Sequence, residues 1–134
     1  MNKEARVAAT IPAQDIKRAK AWYADKLGLT PSSGMPDGGA VYELGRGTGF
    51  LLFPSSGKSS GNHTQMAIET EDFDRDAESL RTRGVKFEEY DTPDFKTVNG
   101  IAEMGPIKAA FFRDSEGNLL SIGTPVPAMA KSGS

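Results

Sequence analysis

The alternation of apolar and polar residues predicts a strand near the start of the chain and another near its middle. Residues 6–12 (RVAATIP) and residues 65–70 (QMAIET) both alternate with a period of two. Each predicted strand is followed by apolar residues at helical spacing, over residues 16–27 and 73–83. The pattern therefore predicts a strand followed by a helix, twice in one chain.

The two predicted helices match each other after a shift of 57 positions. Asp15-Ile-Lys-Arg opens the first and Asp72-Phe-Asp-Arg opens the second, and each aspartate is placed to cap a helix N-terminus. Gly28 is placed to end the first helix. A repeat of this size indicates one supersecondary unit used twice. We therefore expect the functional site at the seam between the two copies.

Further strands are predicted after each helix, which gives both halves the order βαβββ. The glycine-rich residues 45–49 and the turn-forming residues 114–118 (DSEGN) predict hairpins. Residues 91–106 are predicted to form a long irregular connection that covers a pocket as a lid, around Phe95 to Met104. The predicted additional strands are residues 29–33, 40–44 and 50–53 in the first half and residues 85–90, 107–113 and 118–123 in the second.

The predicted fold class is α+β, with two βαβββ modules whose mixed sheets form a concave cleft. Module one is expected over about residues 5–54 and module two over about residues 63–124. Residues 55–62 are rich in glycine and serine and are expected to link the modules, and residues 125–134 are expected to be a flexible tail. All 134 residues then belong to a single domain.

Composition and charge exclude several classes of function. The formal net charge of −2 and the absence of a basic stripe argue against nucleic acid as a partner. The chain has no cysteine, which rules out disulfides and thiolate nucleophiles. No segment approaches the ~20 apolar residues that span a bilayer, and no signal peptide is recognisable at the start. We expect a cytoplasmic protein with no membrane partner.

Three separated segments form recognisable signatures: the helix from Asp15 through Trp22-Tyr23 to Leu27-Gly28-Leu29, the helix end Arg83-Gly84-Val85, and the hairpin Phe111-Phe112-Arg-Asp-Ser-Glu-Gly-Asn-Leu-Leu. Together they resemble the first helix, the end of the second helix and the closing hairpin of the vicinal oxygen chelate superfamily. That superfamily includes glyoxalase I, extradiol dioxygenases, and fosfomycin- and bleomycin-resistance proteins. The resemblance implies paired βαβββ modules and a homodimer.

The resemblance also implies where catalytic members would hold a divalent metal. Those positions fall on Ala8, Gln65, an apolar residue within 50–53, and Ser121. Only Gln65 could coordinate an ion, whereas a catalytic metal generally needs three or more protein donors. His63 and Glu69 share strand parity with Gln65 but would lie about 20 Å apart along an extended strand. We therefore predict no metal and no cofactor.

Three residues with functional potential have more than one structural interpretation. His63, the only histidine, follows a polar linker and is expected to be an exposed loop residue rather than a general base. Glu69 is either a carboxylate at the rim or part of the site. Trp22 is expected in the core or an interface rather than as a platform for a ligand. No residue is assigned a catalytic role.

The favoured interpretation is a metal-independent protein that binds, and sequesters, a hydrophobic or aromatic small molecule, as bleomycin-resistance proteins do. Two alternatives stay open. One is a glyoxalase- or dioxygenase-like enzyme (a lyase, isomerase or oxygenase) with a degenerate or non-standard metal site. The other is a structural or regulatory subunit with a vestigial cleft. The residues expected to line the cleft are Thr10, Tyr42, Leu52, Gln65, Glu69 and Ser121.

Overall fold

The computed structural model describes residues 1–125, and two mixed β-sheets, each covered by one helix, dominate this part of the chain. No helix within residues 1–125 is long and apolar enough to cross a membrane. The predicted tail lies, apart from Pro125, outside the described residues.

The first sheet and its helix come from the first half of the chain. Helix α1 (Ile16–Trp22) continues directly into a π-helical turn (Tyr23–Leu27) that ends at Gly28, whose φ of 68° is in the left-handed region. A 3₁₀ turn at Gly45–Gly47 joins the last two strands, as the glycine pattern predicted. The strands are β1 (Ala9–Ala13), β2 (Ser33–Gly34), β3 (Ala40–Glu43) and β4 (Gly49–Pro54).

The second sheet is longer and also carries one helix, α2 (Phe73–Thr82). Its strands are β5 (Thr64–Glu69), β6 (Thr97–Val98), β7 (Ile101–Met104), β8 (Ile107–Arg113) and β9 (Leu119–Gly123). In space the first sheet has the order β1-β4-β3-β2 and the second β5-β9-β8-β7-β6. In each sheet the first strand pairs in parallel and the other pairs are antiparallel. The predicted α+β class with mixed sheets is thus confirmed.

The core lies between each helix and the inner face of its sheet. Ala19 and Tyr23 of the first helical segment are fully buried, and the Tyr23 ring contacts those of Tyr42 and Phe50 at centroid distances of 5.8 and 5.4 Å. On α2 the apolar stripe that reaches the sheet consists of Phe73, Ala77 and Leu80. The helical periodicity read from the sequence therefore places the correct residues inward.

The long connection between residues 91 and 106 was predicted to be irregular, and this part of the prediction was wrong, whereas its role as a lid stays a prediction. Its second half forms the hairpin β6–β7, and β7 extends the sheet by pairing with β8. The turn is Asn99-Gly100, both with positive φ (54° and 76°), as two-residue hairpin turns of the Asn-Gly type require. The Glu89 carboxylate fixes the turn by accepting hydrogen bonds from Gly100 N (2.7 Å) and Thr97 Oγ1 (2.6 Å).

The segment over residues 85–90 was predicted as a strand and is outside the sheet ladders. It still buries Val85 and Phe87 in the core, and Glu88 N donates a hydrogen bond to Phe111 O at 2.7 Å. The hairpin β6–β7 takes the edge of the sheet, so this segment keeps only a local contact with β8. Its apolar and polar residues do alternate as in a strand. Whether such a segment joins a sheet depends on the hydrogen-bond partners available to its backbone.

A buried polar network joins the turn between β8 and β9 to the first helix. The Asp114 carboxylate accepts hydrogen bonds from Tyr23 OH (2.7 Å), Asn118 Nδ2 (2.8 Å), Glu116 N (2.8 Å) and Asn118 N (2.9 Å). Asn118 Nδ2 also donates to Pro12 O of β1 at 2.9 Å. Because Asp114 and Asn118 are buried, these bonds replace lost contacts with water and fix one sheet against the other.

Candidate functional site

Each sheet has a helix on one face, and the opposite face carries the side chains that are free to meet a ligand. Thr10 pairs with Leu51 and Ser121 pairs with Phe111, so each pair projects to the same side, away from the helix. We call this surface the helix-free face. Its central residues are Thr10, Val41, Leu51, Phe53, Gln65, Ala67, Phe111 and Ser121.

Gln65 bridges the two sheets at the centre of this face. Its Nε2 donates a hydrogen bond to Thr10 O at 3.1 Å, across the seam between β5 and β1. The pairing of β5 with β9 is irregular between Thr64 and Met66, so Gln65 sits at a bulge that directs its side chain toward the seam. Beyond this bond, the amide of Gln65 has the acceptor Oε1 and the second N–H group of Nε2 as further polar groups.

Three aromatic rings form a cluster beside Ser121. The rings of Tyr90, Phe95 and Phe111 contact one another at centroid distances of 5.6 to 5.7 Å, all edge to face. All three are half-buried. Ser121, which pairs with Phe111, is buried to 8% exposure on the same face. An apolar surface with a few polar atoms nearby is the usual composition of a small-molecule site.

Two of the predicted site residues lie on the wrong side of the sheet. Tyr42 and Leu52 face the helix and are buried to 1% and 0% exposure, and Tyr42 stacks on Phe50 at 4.5 Å. Burial raises the pKa of the Tyr42 phenol. Their expected place in the cleft is therefore corrected. The residues of the same strands that reach the helix-free face are Val41 and Leu51.

The remaining predicted site residues divide between the centre and the margin of the face. Thr10, Gln65 and Ser121 come together at the junction of β1, β5 and β9. Glu69, the last residue of β5, is exposed and borders a pocket on the helix side. The ligand-binding role of these four residues, and the enclosure of this face into a cleft, stay predictions.

The residues at the superfamily's metal positions do not fit a divalent ion. Ala8 and the apolar residues 50–53 offer no donor, Ser121 offers a hydroxyl and Gln65 an amide, whereas a catalytic ion needs three or more N or O donors. Among residues 1–125 no three His, Cys, Asp or Glu side chains are grouped so that they could hold one ion. His63 is exposed, as expected, with Nδ1 only 3.3 Å from Thr64 O.

Trp22 is absent from the helix-free face. Its ring stacks on Phe112 at 6.3 Å and meets Tyr23 edge to face at 5.0 Å, all on the helix side. The expectation that Trp22 serves the core or an interface is confirmed. Sequence reasoning missed Tyr90 and Phe95 as members of the aromatic cluster, because it treated residues 91–106 as one irregular connection and did not relate Tyr90 to β8.

Comparison with known proteins defines the class. The sequence profile of the Glyoxalase/Bleomycin resistance protein/Dioxygenase superfamily matches residues 6–122, and the chain belongs to this superfamily. No functionally curated protein matches it.

Solved structures agree with the superfamily fold. The crystal structure of UcmS2 matches with a TM-score of 0.69 and 22% identity over 90% of this chain and 98% of that chain. TnmS3, an antibiotic binding protein from Streptomyces sp. CB03234, matches with a TM-score of 0.64 and 21% identity over 93% and 100% of the two chains. Oxidase ChaP-H2 matches with a TM-score of 0.66 and 21% identity over 91% and 94%. At these identities the likeness establishes the fold alone.

Proposed function

We propose that this protein binds a small hydrophobic or aromatic molecule on the helix-free face without the aid of a metal ion. The observation that carries the proposal is the aromatic cluster of Tyr90, Phe95 and Phe111 beside Ser121, on the same face as the hydrogen bond from Gln65 to Thr10 O. Aromatic rings supply large apolar contact area, and the polar atoms orient the ligand. Glu69 belongs to the margin of this site.

The Gln65 amide gives the proposal a chemical direction. Nε2 uses one of its two N–H groups on Thr10 O, so Gln65 can offer a ligand the acceptor Oε1 and one further N–H group. The ligand that suits this arrangement is a planar or aromatic compound that carries a hydroxyl or N–H donor at one edge. The ring rests against Phe111 and its neighbours, while the donor points across the seam toward Gln65.

The donor set favours binding over metal-dependent catalysis. The positions that the resemblance assigns to metal ligands fall on Ala8, on an apolar residue within 50–53, on Ser121 and on the neutral amide of Gln65. One amide and one hydroxyl cannot offset the hydration that a divalent ion loses on entering a protein site. The antibiotic-binding title of the similar structure TnmS3 is compatible with this reading.

We further propose that two copies pair as a homodimer. Val41, Leu51 and Phe53 are apolar positions on the helix-free face of the first sheet, and no helix among residues 1–125 covers them. Burial of such a surface against a second copy is favourable. Sedimentation equilibrium at micromolar concentration tests this pairing, and a monomer at every concentration would contradict it.

The test of function is a calorimetric titration of purified protein with a panel of hydroxylated aromatic compounds, each measured with and without a chelator. Saturable binding that the chelator leaves unchanged supports the proposal. For any compound that binds, Phe111→Ala is expected to weaken affinity by about tenfold or more, since an aromatic contact is lost. Gln65→Ala removes one hydrogen bond and is expected to weaken it by roughly two- to tenfold.

The matched control is His63→Ala, which removes an exposed side chain two residues from Gln65 and is expected to leave affinity unchanged. The superfamily also contains enzymes, and the similar structure ChaP-H2 is titled an oxidase. Consumption of a bound compound that stops on chelation and returns on addition of a divalent metal would overturn the proposal in favour of metal-dependent catalysis.

A further inference from the structure

A second pocket lies on the helix side of the sheets, away from the helix-free face. It has a volume of about 270 Å³ and opens between the end of the first helical segment and α2. Its floor is apolar and takes side chains from both halves of the chain: Leu27, Leu29, Leu44, Ile68, Leu80 and Phe112. We call it the back pocket.

One wall of the back pocket is the π-helical turn Tyr23–Leu27. The last two residues of this turn, Lys26 and Leu27, line the pocket. π-Helical turns are rare, because their hydrogen bonding is less favourable than that of an α-helix, and those that persist are frequent at functional sites. The turn continues α1 from Trp22 and places Leu27 among the apolar residues that line the pocket.

At the mouth of the back pocket, Lys26, Arg83 and Asp76 already have hydrogen-bond or ion-pair partners within the protein. Lys26 Nζ donates to Arg83 O at 2.7 Å and lies 3.3 Å from the Asp25 carboxylate. Arg83 Nη1 donates to Asp25 O at 3.3 Å. Asp76 is hydrogen-bonded by Thr70 Oγ1 and Arg75 Nε, which lower the pKa of its carboxyl.

We infer that the back pocket binds a small, uncharged and mainly apolar molecule. The volume lies just below the ~300–1,000 Å³ of typical ligand pockets, which limits the ligand to a compound of about one ring. A charged ligand would meet both signs at the mouth and would lose its own hydration, so neither charge is favoured. This inference does not depend on the function proposed for the helix-free face.

Three compounds of nearly equal size test the inference: benzyl alcohol, benzoate and benzylammonium. The measurement is methyl NMR of the isotopically labelled protein during titration with each compound. Benzyl alcohol is expected to shift the methyl signals of Leu29, Leu44 and Ile68 in a saturable manner, whether or not it also shifts the Leu51 methyls of the helix-free face, where the proposed function separately directs hydroxylated aromatic compounds. Benzoate and benzylammonium are expected to bind at least about tenfold more weakly, because burial costs a charged group its hydration.

A substitution that blocks the mouth of the back pocket provides a second test of the inference. Ser79 lies on the exposed side of α2 and lines the pocket, so Ser79→Phe is expected to abolish the methyl shifts. Thr82→Phe is the matched control, since Thr82 is exposed on the same helix and is absent from the pocket lining. Shifts at Leu51 alone, equal affinity for all three compounds, an unchanged response in Ser79→Phe, or no response to benzyl alcohol at millimolar concentration would each overturn the inference.

Discussion

The two helices have equivalent N-caps but make different tertiary contacts. Asp15 Oδ1 accepts a hydrogen bond from Arg18 N at 3.0 Å, and 57 positions later Asp72 Oδ1 accepts one from Arg75 N at 3.2 Å. These N-caps are equivalent in sequence and in geometry. The difference arises in the residues that follow the caps.

The side chains at equivalent positions have different partners. Arg18 forms an ion pair with Glu116, about a hundred residues away, at 2.8 Å, whereas Arg75 pairs with its neighbour Asp76 at 3.2 Å. Tyr23 donates its hydroxyl to Asp114, whereas the equivalent Leu80 is apolar and packs in the core. The first helical segment is therefore joined by polar contacts to the β8–β9 turn, whereas α2 makes its polar tertiary contacts with β8 and with the β6–β7 turn, through Asp74 to Lys108 and Arg81 to Asn99 O.

This contrast shows what a repeated unit determines and what it leaves to individual residues. Caps and apolar stripes recur because every copy must start its helix and cover its sheet. The contacts between copies occur once, so they depend on residues such as Asp114 and Glu116 that have no equivalent role in the other half. Substitutions in this network should therefore reveal how much of the stability comes from joining the modules.

The largest effect is expected from Asp114→Asn. The substitution keeps the shape but places an N–H group among the donors Tyr23 OH, Asn118 Nδ2 and two backbone N–H groups. Loss of a buried acceptor of this kind is expected to lower the free energy of unfolding by about 3–5 kcal/mol. Urea denaturation at pH 7 measures the change.

The comparison variant is Tyr23→Phe, which removes one of the four donors and leaves Asp114 with three partners. Its expected cost is about 1 kcal/mol. If Asp114→Asn cost no more than Tyr23→Phe, the carboxylate would not be the centre of the network.

Glu116 provides the second effect, which depends on pH. The hydrogen bond from Arg18, with those from Asp15 N and Ser115, lowers the pKa of the buried Glu116 carboxyl to about 2. A folded-state pKa below the unfolded value near 4.5 stabilises the protein above that value, and the stabilisation is lost as the pH falls toward 2. Glu116→Gln is expected to cost roughly 2–3 kcal/mol at pH 7 and to flatten the decrease in stability between pH 5 and 2.

The arginine partners sharpen this second test. Arg18→Gln removes the ion pair to Glu116 and is expected to reproduce most of the change in the pH profile. Arg75→Gln is the matched control, because Arg75 occupies the equivalent position, is 70% exposed and pairs locally. Its expected cost is below about 0.5 kcal/mol. Equal pH profiles for the two arginine variants would contradict the distinction between the helices.

Much of this arrangement was predictable from the sequence, and the failures have physical causes. The caps, Gly28 and the apolar stripes of both helices are local signals, and they were predicted correctly. Tyr42 and Leu52 were misplaced because residues 40–42 and 50–53 are apolar throughout, so alternation gives no indication of which side faces the helix. The hairpin at Asn99-Gly100 had a strong local turn signal that was overlooked.

The site was harder to predict than the fold because it depends on contacts between distant segments. Gln65 was selected by its position in the repeat, but its bond to Thr10 O depends on how β1 approaches β5. The meeting of Tyr90 and Phe95 with Phe111 likewise requires the course of residues 85–96 to be known. An alternating sequence pattern can indicate which face of a sheet a side chain takes. Which side chains it contacts on other strands depends on the tertiary structure.

The smallest effect is expected at the two N-caps, where the helices are most alike. Asp15→Ala and Asp72→Ala each remove one side-chain hydrogen bond to a backbone N–H group, and each is expected to cost about 1 kcal/mol. Asp15 N is also bound to Glu116 Oε1 at 3.0 Å, but alanine keeps that N–H group, so the extra contact should survive. Urea denaturation of both variants under the same conditions should give losses within about 0.5 kcal/mol of each other. A much larger loss for Asp15→Ala would mean that its side chain also positions Arg18 for Glu116, and the cap would then belong to the network that joins the modules.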